Sequence, residues 1–139
     1  MRLLLDTCIV LYLIQERDRL SRDVSALLSD YDNQLYVSAE SIKELIVAYR
    51  RKGLGRKIWK TEEDIIAMIK EDLCIEILPI REEHIRTYAR LTINENQGHF
   101  DPSDHIIIAH AITERMPLIS SDHKFDFYIS QGLDYICNS

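Results

Sequence analysis

The run Leu3-Leu4-Leu5, broken at once by Asp6, constrains the fold of this chain more than any other stretch. Three adjacent leucines without alternation describe a strand buried on both faces, the environment of a central strand in a parallel sheet. Beyond Asp6 the apolar residues Ile9, Val10 and Leu13 follow helical spacing, so the strand gives way to a helix at the aspartate. In open α/β sheets that edge, outside the carboxyl ends of the strands, is where ligands bind. Desolvating a carboxylate there costs free energy that something must offset. Two explanations fit: Asp6 caps the helix opening near Thr7, or it is an acid of an active site. The stretch alone leaves both open.

The remaining elements alternate. Residues 20–28 read as a helix with Ser21 as its cap, and residues 34–37 as a short strand after the turn at 30–33. Ser38 then caps a third helix, in which Ile42, Leu45, Ile46 and Tyr49 fall at i, i+3, i+4 and i+7. Its end is marked by Arg50-Arg51-Lys52 followed by Gly53. Thr61 with Asp64 resembles a capping box opening a fourth helix that runs to about residue 72. A strand over 74–78 stops at Pro79, and a fifth helix from Arg81 to about Asn94 carries Ile85, Tyr88, Ala89 and Leu91. A sixth helix starts at Asp101-Pro102 and ends near Glu114, followed by a strand over 117–120, a loop around Asp122 and a last strand over 133–137. This alternation predicts a single α/β domain over residues 1–139, with a mainly parallel central sheet and no repeat or low-complexity tract.

Charge narrows the function. A net charge of −6 argues against a passive nucleic-acid coat protein, which would be basic. It leaves room for an enzyme that meets nucleic acid through cations. Cys8, Cys74 and Cys137 are odd in number and lack metal-ligand spacing, so reduced thiols are expected. His99, His105, His110 and His123 share no helix face at i, i+4, so no zinc site is expected. The chain opens on a strand without a basic or apolar leader, and no apolar run approaches the ~18 residues of a membrane span. A cytoplasmic protein is the expectation.

The other acids need separate weighing. Asp101 at the N-cap with Pro102 at N1 is how a helix often begins. Asp104 could complete a capping box, yet it stands above Ile107, Ile108 and Ala111 on the face that must pack on the sheet, which fits a cleft better. Asp122, after Ser120-Ser121, repeats the strand-to-aspartate pattern of Asp6, and on its own reads as a turn residue. A helical wheel sets Glu44 with Glu40, Val47 and Arg51, off the apolar stripe, as a solvated glutamate. Arg50, Arg51, Lys52, Arg56, Lys57 and Lys60 form the one cluster able to grip phosphates, although such runs are commonly just solvated.

Taken together, four stretches resemble the PIN domain, the metal-dependent ribonuclease fold used by VapC-type toxins. They are Leu3–Thr7, Ser38–Leu45, Asp101–Ala111 and Ile119–Phe125, in the family's order and spanning nearly the whole chain. The resemblance implies a three-layer α/β/α PIN-like fold and a site in which Asp6, Glu44, Asp104 and Asp122 are the four acids. Ser120 stands where the family often has a threonine, and Asp101 fits a variant with an extra aspartate, so both are accessory. Glu40 lies close enough to compete with Glu44. The implied activity is a Mg²⁺- or Mn²⁺-dependent endoribonuclease, with Asp6 and Asp104 holding the principal metal, Asp122 and Glu44 completing the site, and a small antitoxin and a homodimer as partners. Hard oxygen ligands suit such cations. Arg50, Arg51, Arg56 and Lys57 are the candidate RNA contacts.

Two rival readings stay in view. One is a PIN-like module that binds RNA or protein without turnover. The other is a phosphoryl-transfer protein with Asp6 as phosphoacceptor; a haloacid-dehalogenase-like phosphatase would want an aspartate two residues later, where Cys8 stands.

Overall fold

The computed structural model describes residues 1–139. Its sheet has five strands, β1 (Arg2–Leu5), β2 (Gln34–Ser38), β3 (Glu76–Leu78), β4 (Leu118–Ser120) and β5 (Tyr135–Cys137), in the order β3-β2-β1-β4-β5. Every pairing is parallel, so the sheet is wholly rather than mainly parallel. The leucine run is the middle strand, and Leu3, Leu4 and Leu5 are completely buried. Fully burying a leucine contributes about 1.5–3 kcal/mol, so this strand anchors both layers.

Alternation along the strands sorts the core into two halves. Leu3, Leu5, Val37 and Ile119 face one layer, where they join Ile9, Val10, Val24, Leu45, Ile65 and Ile69. That layer is built by α1 (Thr7–Gln15), α2 (Arg22–Ser29), α3 (Ala39–Lys52) and α4 (Glu62–Ala67), with α4 running on into a single wide π-helical turn, Met68–Asp72. Leu4, Tyr36 and Leu118 face the other layer, joining Ile107, Met116, Phe125 and Tyr128. There α5 (Glu82–Arg90), α6 (Pro102–Glu114) and a 3₁₀ segment, His123–Gln131, cover the sheet.

Most boundaries follow local chemistry. Ser21, Ser38 and Thr61 accept helix N–H groups at the starts of α2, α3 and α4, and Thr61 with Asp64 completes the capping box. Gly53 closes α3 at φ +68°, where a side chain would be strained.

Two differences from the sequence expectation have physical causes. The fifth helix stops at Arg90 because tertiary partners take over the backbone: Gln131 bonds both the N–H and the C=O of Thr92, and Tyr128 Oη accepts from the Asn94 N–H. Its inward face is also polar. His84 Nδ1 accepts from the Arg81 N–H, leaving Nε2–H to donate to Glu114 Oε2 at 3.0 Å, while Thr87 meets Thr113 at 2.7 Å. Ile85 and Tyr88 are consequently 48% and 36% exposed. The segment after Asp122 is 3₁₀-helical rather than a loop, capped by the Asp122 side chain through the Lys124 N–H.

Candidate active site

The strand order locates the cleft. The chain steps outward from β1 to β2 to β3, then returns to place β4 on the opposite side of β1. The carboxyl ends of β1 and β4 therefore form the switch point at which open parallel sheets bind ligands. Leu5 pairs with Ile119, and the Asp6 N–H donates to the Ile119 carbonyl at 3.0 Å, so Asp6 and Ser120 emerge side by side.

Asp6 serves both purposes that its sequence position allowed. Its Oδ1 accepts from the Thr7 N–H at 2.8 Å, capping α1, while its Oδ2 accepts from Ser120 Oγ at 2.6 Å. The Cys8 thiol approaches the same Oδ2 at 3.6 Å, and burial followed by the charge of Asp6 pushes that thiol up to about 11. Cys8 is thus a neutral neighbour of the site.

Glu44 reaches the cleft through packing that a wheel does not show. The stripe of Ile42, Leu45 and Tyr49 packs into the cluster containing Trp59, Ile65 and Ile69, so α3 rests on α4 as well as on the sheet. The Glu44 side then turns toward the start of α1. Thr7 Oγ1 donates to Glu44 Oε1 at 2.6 Å and lies 2.8 Å from Ser41 Oγ. Glu40, one turn earlier, is engaged elsewhere: Ser103 Oγ donates to its Oε2 at 2.6 Å, and Lys43 Nζ lies 2.7 Å from the same oxygen.

At the start of α6 the two aspartates divide their roles. Asp101 is the exposed cap, accepting from the Ser103 N–H at 3.0 Å. Asp104 takes no N–H from its own helix, so no capping box forms; its Oδ2 instead lies 2.9 Å from His99 Nε2. Ligand atoms of His99, Asp104 and Asp122 all lie within 4.8 Å of one another. Asp6, Glu44, Asp104 and Asp122, from four separate stretches, therefore come together beside the carboxyl ends of β1 and β4, close enough that the other three all act on the Asp104 carboxyl, with Ser120 bonded to Asp6 and Asp101 at the exposed edge.

The electrostatics follow from that crowding. Burial, reinforced by Asp6, Asp101, Glu44 and Asp122, pushes the Asp104 carboxyl up to about 8. Burial also raises Asp6, against the hydrogen bonds from Ser120 and Thr7, and raises Glu44, with Asp6, Asp101 and Glu40 adding to the effect. Between its ordinary value and about 8, folded Asp104 holds a proton that the unfolded chain has released. By linkage, the metal-free protein loses stability as pH rises through that window, down to a floor above it. The melting temperature in chelator is expected to fall between pH 7 and 8, above the range where the lowered pKa values of His99 and His110 act in the opposite sense. Asp104→Asn should show a shallower fall; identical slopes would remove Asp104 as its source.

Sequence reasoning did not single out Thr7, Ser41 or Tyr128, and weighed His99 only as a zinc ligand. His99 and Tyr128 carry no local signal, because their role exists only when the 94–99 loop meets the 3₁₀ segment. The basic cluster is divided by the fold. Arg50 Nε donates to Glu62 at 2.8 Å, while Arg56 donates to the Tyr49 carbonyl and lies over the Tyr49 ring at 5.1 Å. Arg51 and Lys52 line a groove with Lys43, Glu44 and Ser103. Lys57 is exposed.

Comparison with known proteins identifies the family and the fold. The family described as PIN domain matches residues 3–128. Among solved structures, VapBC2 from Rickettsia felis bound to a promoter DNA fragment aligns with 18% identity and a TM-score of 0.75, covering 100% of each chain. VapBC-1 from nontypeable Haemophilus influenzae aligns with 23% identity and a TM-score of 0.69, over 99% of this chain and 98% of that one. FitAcB from Neisseria gonorrhoeae aligns with 20% identity and a TM-score of 0.66, over 98% and 96%. At these identities the likeness is one of fold. Among curated proteins there is no match.

Proposed function

This chain belongs to the PIN domain family, and on that premise we propose that it is a Mg²⁺- or Mn²⁺-dependent endoribonuclease acting as the toxin of a toxin–antitoxin pair. The observation that carries the reading is the convergence of Asp6, Glu44, Asp104 and Asp122 at the β1/β4 switch point, with Asp104 pushed up to about 8. Acids crowded this closely favour a neutralising cation, and an all-oxygen set of carboxylates suits Mg²⁺ or Mn²⁺. Asp6 and Asp104 would hold it, with Asp122 and Glu44 completing the site. When bound there, such a cation would supply Lewis-acid chemistry, activating water and offsetting charge on the phosphate.

The chain's own groups supply the rest of the reading. Ser120 fixes Oδ2 of Asp6, and Thr7 fixes the Glu44 carboxylate that accepts the proton of the attacking water. Lys43, Arg51 and Lys52 beside Glu44 offer contacts for RNA phosphates, and Lys57 is exposed and free to add another. Arg50 and Arg56 can join them only by leaving Glu62 and Tyr49. Replacing Lys43, Arg51 and Lys52 by alanine should flatten the salt dependence of RNA binding by roughly one unit of slope per lost contact. An unchanged slope would return these residues to solvated charge.

The neighbours support an antitoxin partner, since their names include a VapBC toxin–antitoxin system and a toxin–antitoxin complex. A homodimer and a cytoplasmic location belong to the same reading; no helix of this chain is long and apolar enough to cross a membrane. Induced expression in a bacterial host should arrest growth, whereas Asp104→Asn produced at the same level should not. Unimpeded growth with abundant folded wild-type protein would count against the toxin role.

A further inference from the structure

A buried chain of hydrogen bonds ends on Asp104, and its direction can be derived. Tyr128 Oη accepts from the Asn94 N–H at 3.1 Å and lies 2.9 Å from His99 Nδ1. Among its partners only His99 Nδ1 can accept the phenolic hydrogen, so Nδ1 is bare and the ring hydrogen is on Nε2. Nε2–H then points at Asp104 Oδ2, 2.9 Å away.

The ring has little freedom to take another pose. It is 3% exposed, with Phe125, Tyr128 and His105 packed around it at centroid distances of 5.4, 5.5 and 4.9 Å. Its backbone is held as well: the His99 N–H donates to the Asn94 carbonyl at 3.0 Å, and His105 Nε2–H donates to the His99 carbonyl at 2.9 Å. Gly98 at φ +66° turns the chain inward just before it.

We propose that His99 is a positioning residue of the acidic site: held by Tyr128 as the Nε2–H tautomer, it fixes Oδ2 of Asp104 and leaves Oδ1 for the cation. The one hydrogen-bond partner of the Asp104 carboxyl within the chain is His99 at Oδ2, which leaves Oδ1 free. Carboxylates that bind cations are commonly oriented in this way by a donor behind them. The inference rests on the metal-site reading above.

The test measures Mn²⁺ affinity by calorimetry without any RNA. His99→Leu should weaken binding about 10–100-fold, the usual effect of losing such a partner. His99→Gln, whose amide nitrogen can stand where Nε2 does, should stay within about threefold of wild type. Long-range ¹H–¹⁵N spectra of the unsubstituted protein should show His99 bare at Nδ1 and protonated at Nε2, so the proposal is tested even if His99→Leu fails to fold. The opposite tautomer would overturn it. So would nitrogen hyperfine coupling from His99 in the spectrum of bound Mn²⁺, which would make the ring a ligand instead. Bound Mn²⁺ with unchanged affinity in folded His99→Leu would sink this inference alone, whereas a wild-type protein that binds no Mn²⁺ would sink the metal-site reading with it.

Discussion

Asp104→Asn is expected to reduce RNA cleavage at saturating Mg²⁺ by at least ~1,000-fold, about 4 kcal/mol of barrier. The magnitude reflects loss of a ligand to a cation whose charge stabilisation is worth several kcal/mol. The same substitution should leave metal-free stability unchanged or raised. Asp104 caps nothing: Asp101 accepts the α6 N–H group, and the Asp104 carboxyl is raised by burial and by four neighbouring acids. An asparagine there is neutral without taking up the proton that the buried, crowded carboxyl demands on folding, and no helix bond is lost. Had Asp104 closed a capping box, its replacement would lower the melting temperature instead. Asp6→Asn should be comparably inactive, since Asp6 is the other acid assigned to the cation. Thermal melting and cleavage measured on the same samples separate a site acid from a structural one.

The second large effect is expected at Glu44. Glu44→Gln should lower the cleavage rate at saturating Mg²⁺ by at least ~100-fold, the low end for losing an acid–base contribution. Glu40→Gln should change it by less than ~10-fold, about 1.4 kcal/mol. The two side chains lie one turn apart on α3 and differ in what holds them. Thr7, beside Asp6, binds Glu44, whereas Ser103 and Lys43 occupy the carboxylate of Glu40. Glu44 also senses Asp6 and Asp101, which raise its pKa further beyond the effect of burial. If Glu40→Gln proves the costly variant, Glu40 and not Glu44 is the site glutamate.

The parts of the structure that follow local rules were legible in the chain. Leu3–Leu5 could only be a doubly covered strand, and Asp6 after it had to stand at the strand end. Ser38, Thr61 and Asp101 announced helix starts because capping is decided within a few residues. Glu44 was legible only by resemblance. Periodicity measures which face is apolar, and α3 packs its apolar face against a helix while presenting the adjacent polar side to the cleft. The His99–Tyr128 link was invisible for a related reason: residues 29 positions apart meet through tertiary packing, and neither lies in a periodic segment with a signal of its own. The end of α5 shows the same limit, since hydrogen bonds from Gln131 and Tyr128 end a helix that sequence pattern would continue.

The measurement bearing most directly on the central claim uses purified protein and a pool of random-sequence RNA of uniform length, labelled at one end. Incubation with Mg²⁺ or Mn²⁺ should yield shortened products with internal cuts. Excess chelator should abolish them, added cation should restore them, and Asp104→Asn should yield none while binding the same RNA. RNA bound by folded wild-type protein but left intact at saturating Mg²⁺ and Mn²⁺, or cleavage undiminished in chelator and in Asp104→Asn, would contradict the account; the first outcome would make this chain a binding module without turnover.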